Sequence, residues 1–359
     1  MSKRPFERRQ QQHLYVLLDD WDRGCSIYRF GEDDLDADAD ADADVPDLDD
    51  TAPIARLEAR HPLAWSFAVH GTKILAVRTA DGSPAIPGFD TSTMAVVACP
   101  FPVTTRGMTS KPFYASVAGD RLFAMVYRHV EALGPQPLPD DDEPPPAWSW
   151  STVDDAEPPF SPERVTCHAR HPDGRTVFAS VVGWRPGSAT DLQRSTYSFD
   201  ADRLRFRYHG EWLLPFRGEA HYDGRAGRVG RALRRGARAR RVVRRPAGEA
   251  SERPDWKVSQ ERLFGYGFET TGHLGATLVY MGGGSRYCLV QCCAQRGDDD
   301  GDDRRCHRRV VQMTTFSLKY GKKGELRITG RGGRASMAYT VPVAHDMNPP
   351  TLNPSAFWM

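Results

Sequence analysis

The chain has 359 residues, of which 26% are charged, and its 48 Lys and Arg offset its 47 Asp and Glu to leave a formal net charge of +1. That length accommodates one large repeat fold or two ordinary domains, and the balanced charge gives no argument for nucleic acid or a membrane as the partner. Seven scattered cysteines, a polar N-terminus and the lack of any run near the roughly 18 apolar residues of a spanning helix predict a protein with free thiols in the cytoplasm or nucleus.

The first predicted elements are two paired strands, which follow a polar segment at residues 1–12 that we expect to be disordered. Apolar and polar residues alternate over residues 13–19 and again over residues 25–30, as strands require. Residues 32–50 come next and contain the run DADADADAD. Because its carboxylates repel and it has few apolar groups to bury, we expect a disordered insert. The alternative, a calcium site, lacks the Gly turn and ligand spacing of an EF-hand loop.

A pattern of strand, glycine turn and strand then recurs along the chain. It occurs at residues 66–78 and again at residues 112–127. The first copy is followed by a closing half at residues 88–99, which has Phe-Asp at its turn. A Pro-rich and acidic insert at 134–159, which we expect to be disordered, interrupts the second copy. Residues 148–150 are the candidate for the closing strand of that copy.

The most complete copy of the pattern spans residues 165–216. Four strands are predicted in it, at residues 165–169, 176–181, 195–199 and 204–208. The first two are joined by the tight turn His171-Pro-Asp-Gly174, the next two by a long loop at 184–193, and the last two by a turn after Phe199-Asp200. Four antiparallel strands cannot bury a core alone, so the copies must pack on one another.

Further copies follow to the end of the chain. Residues 218–222 open one copy, and residues 274–292 and 310–326 form the two halves of another around an acidic insert at 295–305 that we expect to be disordered. The turns recur at a spacing of the order of 45 to 50 residues once inserts are removed, which is typical of a propeller. We therefore predict an all-β fold, with residues 13–359 forming a single β-propeller-like domain of about six four-stranded blades. The N- and C-terminal strands are expected to share the last blade.

Several motifs resemble a known family. They are HLYVLLDDWDRGCSIYRF, RVTCHARHPDGRTVFASV, HGEWLLPFRGEAHYDG, MGGGSRYCLVQC and the ending SAFWM. Together they resemble the grass-expanded plant family known as domain of unknown function 1668, which has no assigned activity. The resemblance implies a layout similar to the kelch-like propellers of plant F-box proteins. Because the Leu-Pro-rich helical F-box is missing ahead of the first strand, we do not expect a ubiquitin-ligase role.

The basic segment at residues 225–248 is anomalous, since it holds ten Arg and no Lys. It could be an arm for nucleic acid or a solvated loop. We favour a third interpretation, which is a shift of the reading frame. The related sequences resemble Gly-Glu-Leu-Asp-Ala-Trp-Val-Gly-Leu-Cys at this position. With one choice of GC-rich codons, inserting one cytosine after the Gly codon yields residues 225–233 of this chain. We therefore predict a frameshifted segment, an irregular and poorly packed stretch in place of a blade strand, and no nucleic-acid partner.

Candidate metal ligands are weak in this sequence. Cys167, His168 and His171 have suitable side chains, but alternation along a strand sends Cys167 and His168 to opposite faces. A second set lacks the C-x-x-C pair of a structural zinc site; its members are Cys288, Cys292, Cys293, Cys306 and His307. Cys288 and Cys292 share strand parity and are predicted to pack as small apolar residues.

Signatures of catalysis are equally weak. The glycine-rich stretch 282–284 has neither the Lys nor the following helix of a phosphate loop, so we interpret it as a turn. Gly-x-Ser-x-Gly does not occur. The tryptophans are expected to pack between blades; they include Trp21, Trp65, Trp184 and Trp212.

The sequence therefore assigns no catalytic, cofactor-binding or metal-binding residue and no cofactor. A ring of short strands holds variable loops on a rigid base, which favours a binding or interaction scaffold for another protein. The alternative is an enzyme that uses the central funnel, which would need convergent His, Asp or Glu side chains at the inner strand ends.

Overall fold

The protein is described here by a computed structural model, and most of the described residues lie in β-strands. The described residues are 12–19, 25–36, 51–57, 66–77, 85–103, 112–117, 121–134, 148–171, 173–184, 192–214, 218–223, 228–232, 238–243, 255–262, 273–282, 285–294, 306–323, 325–329, 334–342 and 354–359. The predicted all-β fold is confirmed.

The strands are numbered in chain order. They are β1 (Leu14–Asp19), β2 (Cys25–Phe30), β3 (Ala55–Leu57), β4 (Ser66–His70), β5 (Lys73–Val77), β6 (Ala85–Asp90), β7 (Ala95–Pro100), β8 (Phe113–Val117), β9 (Arg121–Val126), β10 (His129–Leu133), β11 (Trp150–Thr152), β12 (Val165–Arg170), β13 (Thr176–Trp184), β14 (Leu192–Asp200), β15 (Arg205–Gly210), β16 (Gly218–Asp223), β17 (Arg228–Ala232), β18 (Arg238–Val243), β19 (Asp255–Arg262), β20 (His273–Tyr280), β21 (Arg286–Ala294), β22 (Cys306–Tyr320), β23 (Leu326–Thr329), β24 (Arg334–Pro342) and β25 (Ser355–Trp358). An α-helix, α1 (Glu32–Asp36), follows β2, and a short 3-10 helix (Pro162–Arg164) precedes β12.

The first sheet joins the two ends of the chain. Its order is β25-β1-β2-β3, and Tyr15 of β1 lies opposite Phe357 of β25. His13 and Met359 extend the pairing through two backbone hydrogen bonds of 2.7 and 3.0 Å. The prediction that terminal strands share one blade is therefore confirmed.

The second and third sheets are the antiparallel meanders β4-β5-β6-β7 and β8-β9-β10-β11. The fifth sheet has the order β20-β21-β22-β23, and β24 pairs with the N-terminal part of the long strand β22. In each meander, strands that are consecutive in the chain are neighbours in the sheet and pair antiparallel.

The fourth sheet has eight strands, in the order β15-β14-β13-β12-β16-β17-β18-β19. Each half is a four-stranded meander, and the halves meet where β12 and β16 run parallel, with Cys167 opposite Gly218 and Ala169 opposite Ala220. The sheets formed by the described residues consequently number five, whereas about six separate blades were expected. The difference arises because this parallel pairing merges two meanders into one sheet.

The core lies between sheets that follow each other around the propeller. Along β1, Leu14 and Val16 pack against Val279 and Val290 of the fifth sheet. Tyr15 packs in a different cluster, together with residues of the second sheet. This is the period-two alternation of a strand buried on both faces. Similar clusters join the second sheet to the third and the third to the fourth. Each meander thus buries apolar surface that it could not cover by itself.

The hairpins after Phe89-Asp90 and Phe199-Asp200 repeat one backbone conformation. Asp90 accepts the Ser92 N–H at 3.0 Å, and Asp200 accepts the N–H groups of Asp202 and Arg203 at 3.0 and 3.1 Å. Four residues after each Asp, a residue adopts the left-handed region: Met94 with φ 56° and Leu204 with φ 55°. The repeat seen in the sequence therefore extends to the dihedral angles of the turn.

Met94→Gly is expected to raise the free energy of unfolding by about 1 kcal/mol, because a left-handed L-residue costs about 1–2 kcal/mol and the greater freedom of glycine when unfolded offsets part of the gain. Met94 is 41% exposed, so the substitution loses little packing. Leu204→Gly changes the same conformation but removes a side chain that packs in the cluster around Phe199, so it should lower stability. Urea unfolding of both variants measures the difference. Equal destabilisation by both would contradict this account.

The structure corrects the predicted disorder of two inserts. Within 32–50, residues 32–36 form α1, whose Leu35 is 1% exposed and packs in the core, and Glu32 pairs with Arg286 of the fifth sheet. Within 134–159, residues 150–152 form β11, the last strand of the third sheet, which agrees within two residues with the closing strand predicted at 148–150. Apolar anchors explain why disorder was wrong for these residues, because Leu35 and Trp150 bury side chains inside segments that are acidic or Pro-rich overall. Residues 1–11, 37–50, 135–147 and 295–305 lie outside the described residues.

The Arg-rich segment and one loop were also predicted incorrectly. Residues 225–248 include two strands, β17 and β18, which pair in register from Arg228 opposite Val243 to Ala232 opposite Ala239, so the expectation of a missing strand is wrong. The frameshift itself stays a prediction. The loop at 184–193 is shorter than expected, because β13 continues to Trp184 and β14 begins at Leu192.

Candidate functional site

The parallel strands β12 and β16 bring a small ionisable cluster together. His168 Nε2 of β12 lies 4.0 Å from a carboxylate oxygen of Glu219 in β16, and Arg170 Nη2 lies 3.6 Å from the other oxygen. The His168 ring also meets Phe113 edge-on, with centroids 5.1 Å apart. All three ionisable side chains keep contact with solvent. Arg170 and Glu219 therefore form an ion pair between two parallel strands, and His168 lies beside the same carboxylate.

The predicted weak metal sets are placed as follows. Cys167 is buried with Leu214 and Ala220, whereas His168 lies on the opposite face, so the predicted separation is confirmed. Cys288 and Cys292 pack together in the core, as predicted, and burial raises the pKa of the Cys288 thiol to about 12. The side chains of Cys306 and His307 lie outside the described residues. Among the described side chains, no group of three or more His, Cys, Asp or Glu is placed to hold a metal ion.

Two motifs shared with the resembled family have structural roles. In MGGGSRYC, the Met281 N–H donates to the Arg286 carbonyl at 3.0 Å across a turn that begins at Gly282 (φ 77°), which confirms the turn interpretation. In HGEWLLPF, the carbonyl of Trp212 accepts the Thr196 hydroxyl at 2.6 Å, and the Leu214 N–H donates to Ser180 Oγ at 2.9 Å. These two hydrogen bonds thus attach the segment of the second motif to β13 and β14.

Tryptophans act as packing residues where they are described. Trp150 is 7% exposed and its Nε1–H donates to the Pro100 carbonyl at 2.7 Å, which joins the third sheet to the second. Trp148 stacks on His70 at 5.4 Å between the same sheets. Trp212 packs beside Cys167, and the side chains of Trp21, Trp65 and Trp184 lie outside the described residues.

An open groove of about 420 Å³ lies beside the outer strands of the fourth sheet. We call it the β15 groove. Aromatic and acidic side chains dominate its lining, which consists of Asp155, Glu157, Pro159, Tyr197, Leu204, Arg205, Phe206 and Tyr208.

The aromatic wall of the β15 groove follows from the register of β14 and β15. Tyr197 lies opposite Tyr208 and Phe199 opposite Phe206, so the four rings share one face of the sheet. The ring centroids are 5.4 and 4.8 Å apart in the two pairs. Exposure rises outward along this wall, from 2% at Phe199 to 50% at Tyr208. A continuous set of rings therefore leads from the core to the groove.

The acidic wall is the segment between β11 and β12. The Val153 N–H donates to the Val130 carbonyl at 2.8 Å, and Ala156 is buried between the third and fourth sheets. Asp155 adopts the left-handed region, with φ 59°. Burial alternates beyond it, so that Asp155 and Glu157 face solvent while the residue between them faces the core.

The two carboxylates of the acidic wall, Asp155 and Glu157, differ in whether they form an ion pair with the described residues. Glu157 Oε1 accepts Arg128 Nε–H at 2.8 Å in an exposed ion pair. Asp155 forms neither a hydrogen bond nor an ion pair with the described residues. Burial and the charges of Glu211 and Tyr197 raise the pKa of Tyr208, so its hydroxyl stays neutral and can donate at physiological pH. The groove therefore offers an aromatic face, a phenol donor and one unengaged carboxylate.

Sequence comparison assigns the family. A family model described as "Protein of unknown function (DUF1668)" matches residues 11–335. The chain belongs to the DUF1668 family. Comparison of this DUF1668 chain with curated protein sequences gives no match.

Among solved structures, the DUF1668 chain is similar to several at low identity. One is from a nidogen/laminin complex, at 10% identity and a TM-score of 0.41, covering 92% of this chain and 98% of the other. A second is a putative 6-phosphogluconolactonase from Bacteroides uniformis, at 12% identity and a TM-score of 0.40, covering 93% and 99%. A third is the Pseudomonas aeruginosa periplasmic gluconolactonase, at 14% identity and a TM-score of 0.37, covering 93% and 99%.

Sequence reasoning missed the groove residues of the DUF1668 chain. Tyr208 stood at the end of a predicted strand, and Asp155 and Glu157 fell in a segment expected to be disordered. The available signal was the alternation Phe206-Arg-Tyr208 on the last strand of a meander, which leaves aromatic rings on an outer strand. The neighbouring segment that completes the groove has no such signal.

Proposed function

We propose that this protein is a binding scaffold for another protein and that the partner contacts the β15 groove. The exposed Tyr208 beside an open groove is the observation that supports the proposal, since tyrosines at partly apolar surfaces contribute much of the binding energy of protein interfaces. A kelch-like propeller layout and a plant source are inferred from the family motifs.

We place the protein in the cytoplasm or nucleus. The six cysteines whose side chains are described are free thiols, which fits a reducing compartment. No helix among the described residues has the length and apolar character needed to cross a membrane. Nucleic acid is not proposed as a partner, because only the Arg-rich segment favours it and the reading frame of that segment is in question.

The proposal is tested by comparing proteins that the full chain captures from plant tissue. Tyr208→Ala should reduce capture of a defined set of proteins at least about tenfold, because a truncated hot-spot residue costs 2 kcal/mol or more. Tyr127→Ala is the matched control, because Tyr127 is 61% exposed and does not line the groove. Quantitative mass spectrometry measures both. If Tyr208→Ala and the control capture the same proteins in the same amounts, the groove is not the interface.

An enzyme that uses the central funnel is the second candidate, supported by the cluster of His168, Arg170 and Glu219. The binding role is preferred because Arg170 and Glu219 already form an ion pair between two strands. The funnel candidate would need them to contact a substrate.

A further inference from the structure

We infer that the β15 groove binds an extended protein segment through a basic side chain of that segment. The inference rests on the proposed function and adds the chemistry of the partner. It combines three observations: an unengaged carboxylate, an exposed aromatic face and a strand edge.

The carboxylates give the groove its preference for a cation. Asp155 is exposed and makes no ion pair with the described residues, so an incoming ammonium or guanidinium meets it without displacing a protein cation. Glu157 shares its charge with Arg128, but one carboxylate can accept from two guanidinium groups. Arg205 also lines the groove, yet alternation along β15 directs its side chain to the face opposite Phe206 and Tyr208.

The aromatic wall adds a second attraction for a cation. The Tyr208 ring is half exposed, and a Lys or Arg head group over an aromatic face gains about 0.5–1 kcal/mol at exposed sites. Arginine fits best, because its planar guanidinium stacks on a ring while forming two hydrogen bonds to a carboxylate. The lining thus suits an arginine that bridges Tyr208 and Asp155.

The strand edge accounts for an extended partner. β15 ends the order of the fourth sheet, and no described strand pairs with its outer edge. Its backbone N–H and C=O groups can add a strand from another chain, which gives affinity while alternate side chains enter the neighbouring groove. A basic residue on that strand would then point toward Tyr208.

The test uses the full chain and a phage-displayed library of random twelve-residue peptides. Peptides that bind the wild type are expected to contain Arg or Lys. Their synthetic forms should bind Asp155→Asn about tenfold more weakly. Replacing the basic residue with citrulline or acetyl-lysine should weaken binding by a similar factor. Asn tolerates the left-handed conformation of residue 155, so Asp155→Asn tests charge and not folding.

Asp154→Asn is the matched control, since it removes the same charge from an exposed neighbour that does not line the groove. Its binding should equal that of the wild type. Peptides that lose binding with Tyr208→Ala but carry no basic residue would overturn the charge inference and leave the scaffold proposal standing. Selected peptides that bind Tyr208→Ala and wild type equally would overturn both.

Discussion

Lys73→Met is expected to lower the free energy of unfolding by about 3–5 kcal/mol, because it leaves a buried carboxylate without its cation. Lys73 and Asp90 are 4% and 5% exposed, and Lys73 Nζ lies 2.9 Å from Asp90 Oδ2. Asp90 also accepts the hydroxyl of Thr72 at 2.8 Å and that of Ser92 at 2.7 Å. Both hydroxyl donors remain in the variant, but neither supplies the positive charge that is lost with Lys73. Urea unfolding at pH 7 measures the loss.

The double variant Lys73→Met/Asp90→Asn is the matched control. Removing both charges avoids the unpaired carboxylate, so it should lose less stability than the two single variants added together. A second control is Arg128→Met, which breaks the exposed pair with Glu157 and should change stability little. If Lys73→Met were as mild as Arg128→Met, the buried pair would have no special role.

The same pair gives a dependence on pH. Burial alone would raise the pKa of Asp90, but the hydrogen bonds from Lys73, Ser92 and Thr72 outweigh burial and hold this pKa far below its usual range. Since the unfolded value is about 3.9, the stabilisation is complete above about pH 5 and is lost as the pH falls toward the lower folded value. Asp90→Asn should therefore flatten the loss of stability between pH 5 and pH 3. An unchanged slope would contradict this.

Restoring the family-like sequence in β17 is expected to raise the free energy of unfolding by about 3 kcal/mol, because a second strand with more apolar residues can bury more nonpolar surface, and burying one large apolar side chain contributes about 1.5–3 kcal/mol. The variant carries Arg228→Ala, Val229→Trp, Gly230→Val, Arg231→Gly and Ala232→Leu. These substitutions give the family-like sequence Ala-Trp-Val-Gly-Leu at the five positions. Thermal and urea unfolding of the full chain measure the change.

The physical reason lies in the position of β17 within its meander. β17 is second of four strands, between β16 and β18. The second strands of the second and third sheets are buried and mostly apolar: in β5 every residue from Lys73 to Val77 is buried, and in β9 so are the residues from Leu122 to Val126. A strand in this position is therefore expected to be mostly apolar, whereas the sequence of β17 has two Arg among its five residues.

The matched control replaces Arg228 and Arg231 with Lys, which keeps both charges and should leave stability nearly unchanged. Sequencing of transcripts across residues 225–248 tests the origin of the segment directly. An uninterrupted frame that encodes the Arg run in every clone, together with a loss of stability in the five-residue variant, would show that the basic strands are native.

Much of the fold could be predicted from residue patterns along short stretches. The turn His171-Pro-Asp-Gly174 forms as predicted, with Gly174 at φ 74° and Asp173 accepting the Arg175 and Thr176 N–H groups. Burial by itself would raise the pKa of Asp173, but hydrogen bonds from Thr176, Arg175 and His171 lower this pKa to about 2. Such turns are local, so a tetrapeptide contains their cause.

The inserts could be predicted only in part, because composition averages over a segment. Residues 148–159 are rich in Pro and acid, yet Trp150 and Ala156 supply apolar groups that a neighbouring sheet can bury. Whether a polar segment stays with the fold depends on those few contacts. Composition alone does not reveal them.

The sequence by itself determined the strands, their turns and the need for several copies to cover one another, since alternation with a period of two is a property of neighbouring residues. Only the tertiary structure decided that β12 and β16 merge two meanders into one sheet, and that Asp155 lies beside the face of Tyr208. Both features join segments far apart in the chain, and which distant segments meet is set by the packing of whole sheets.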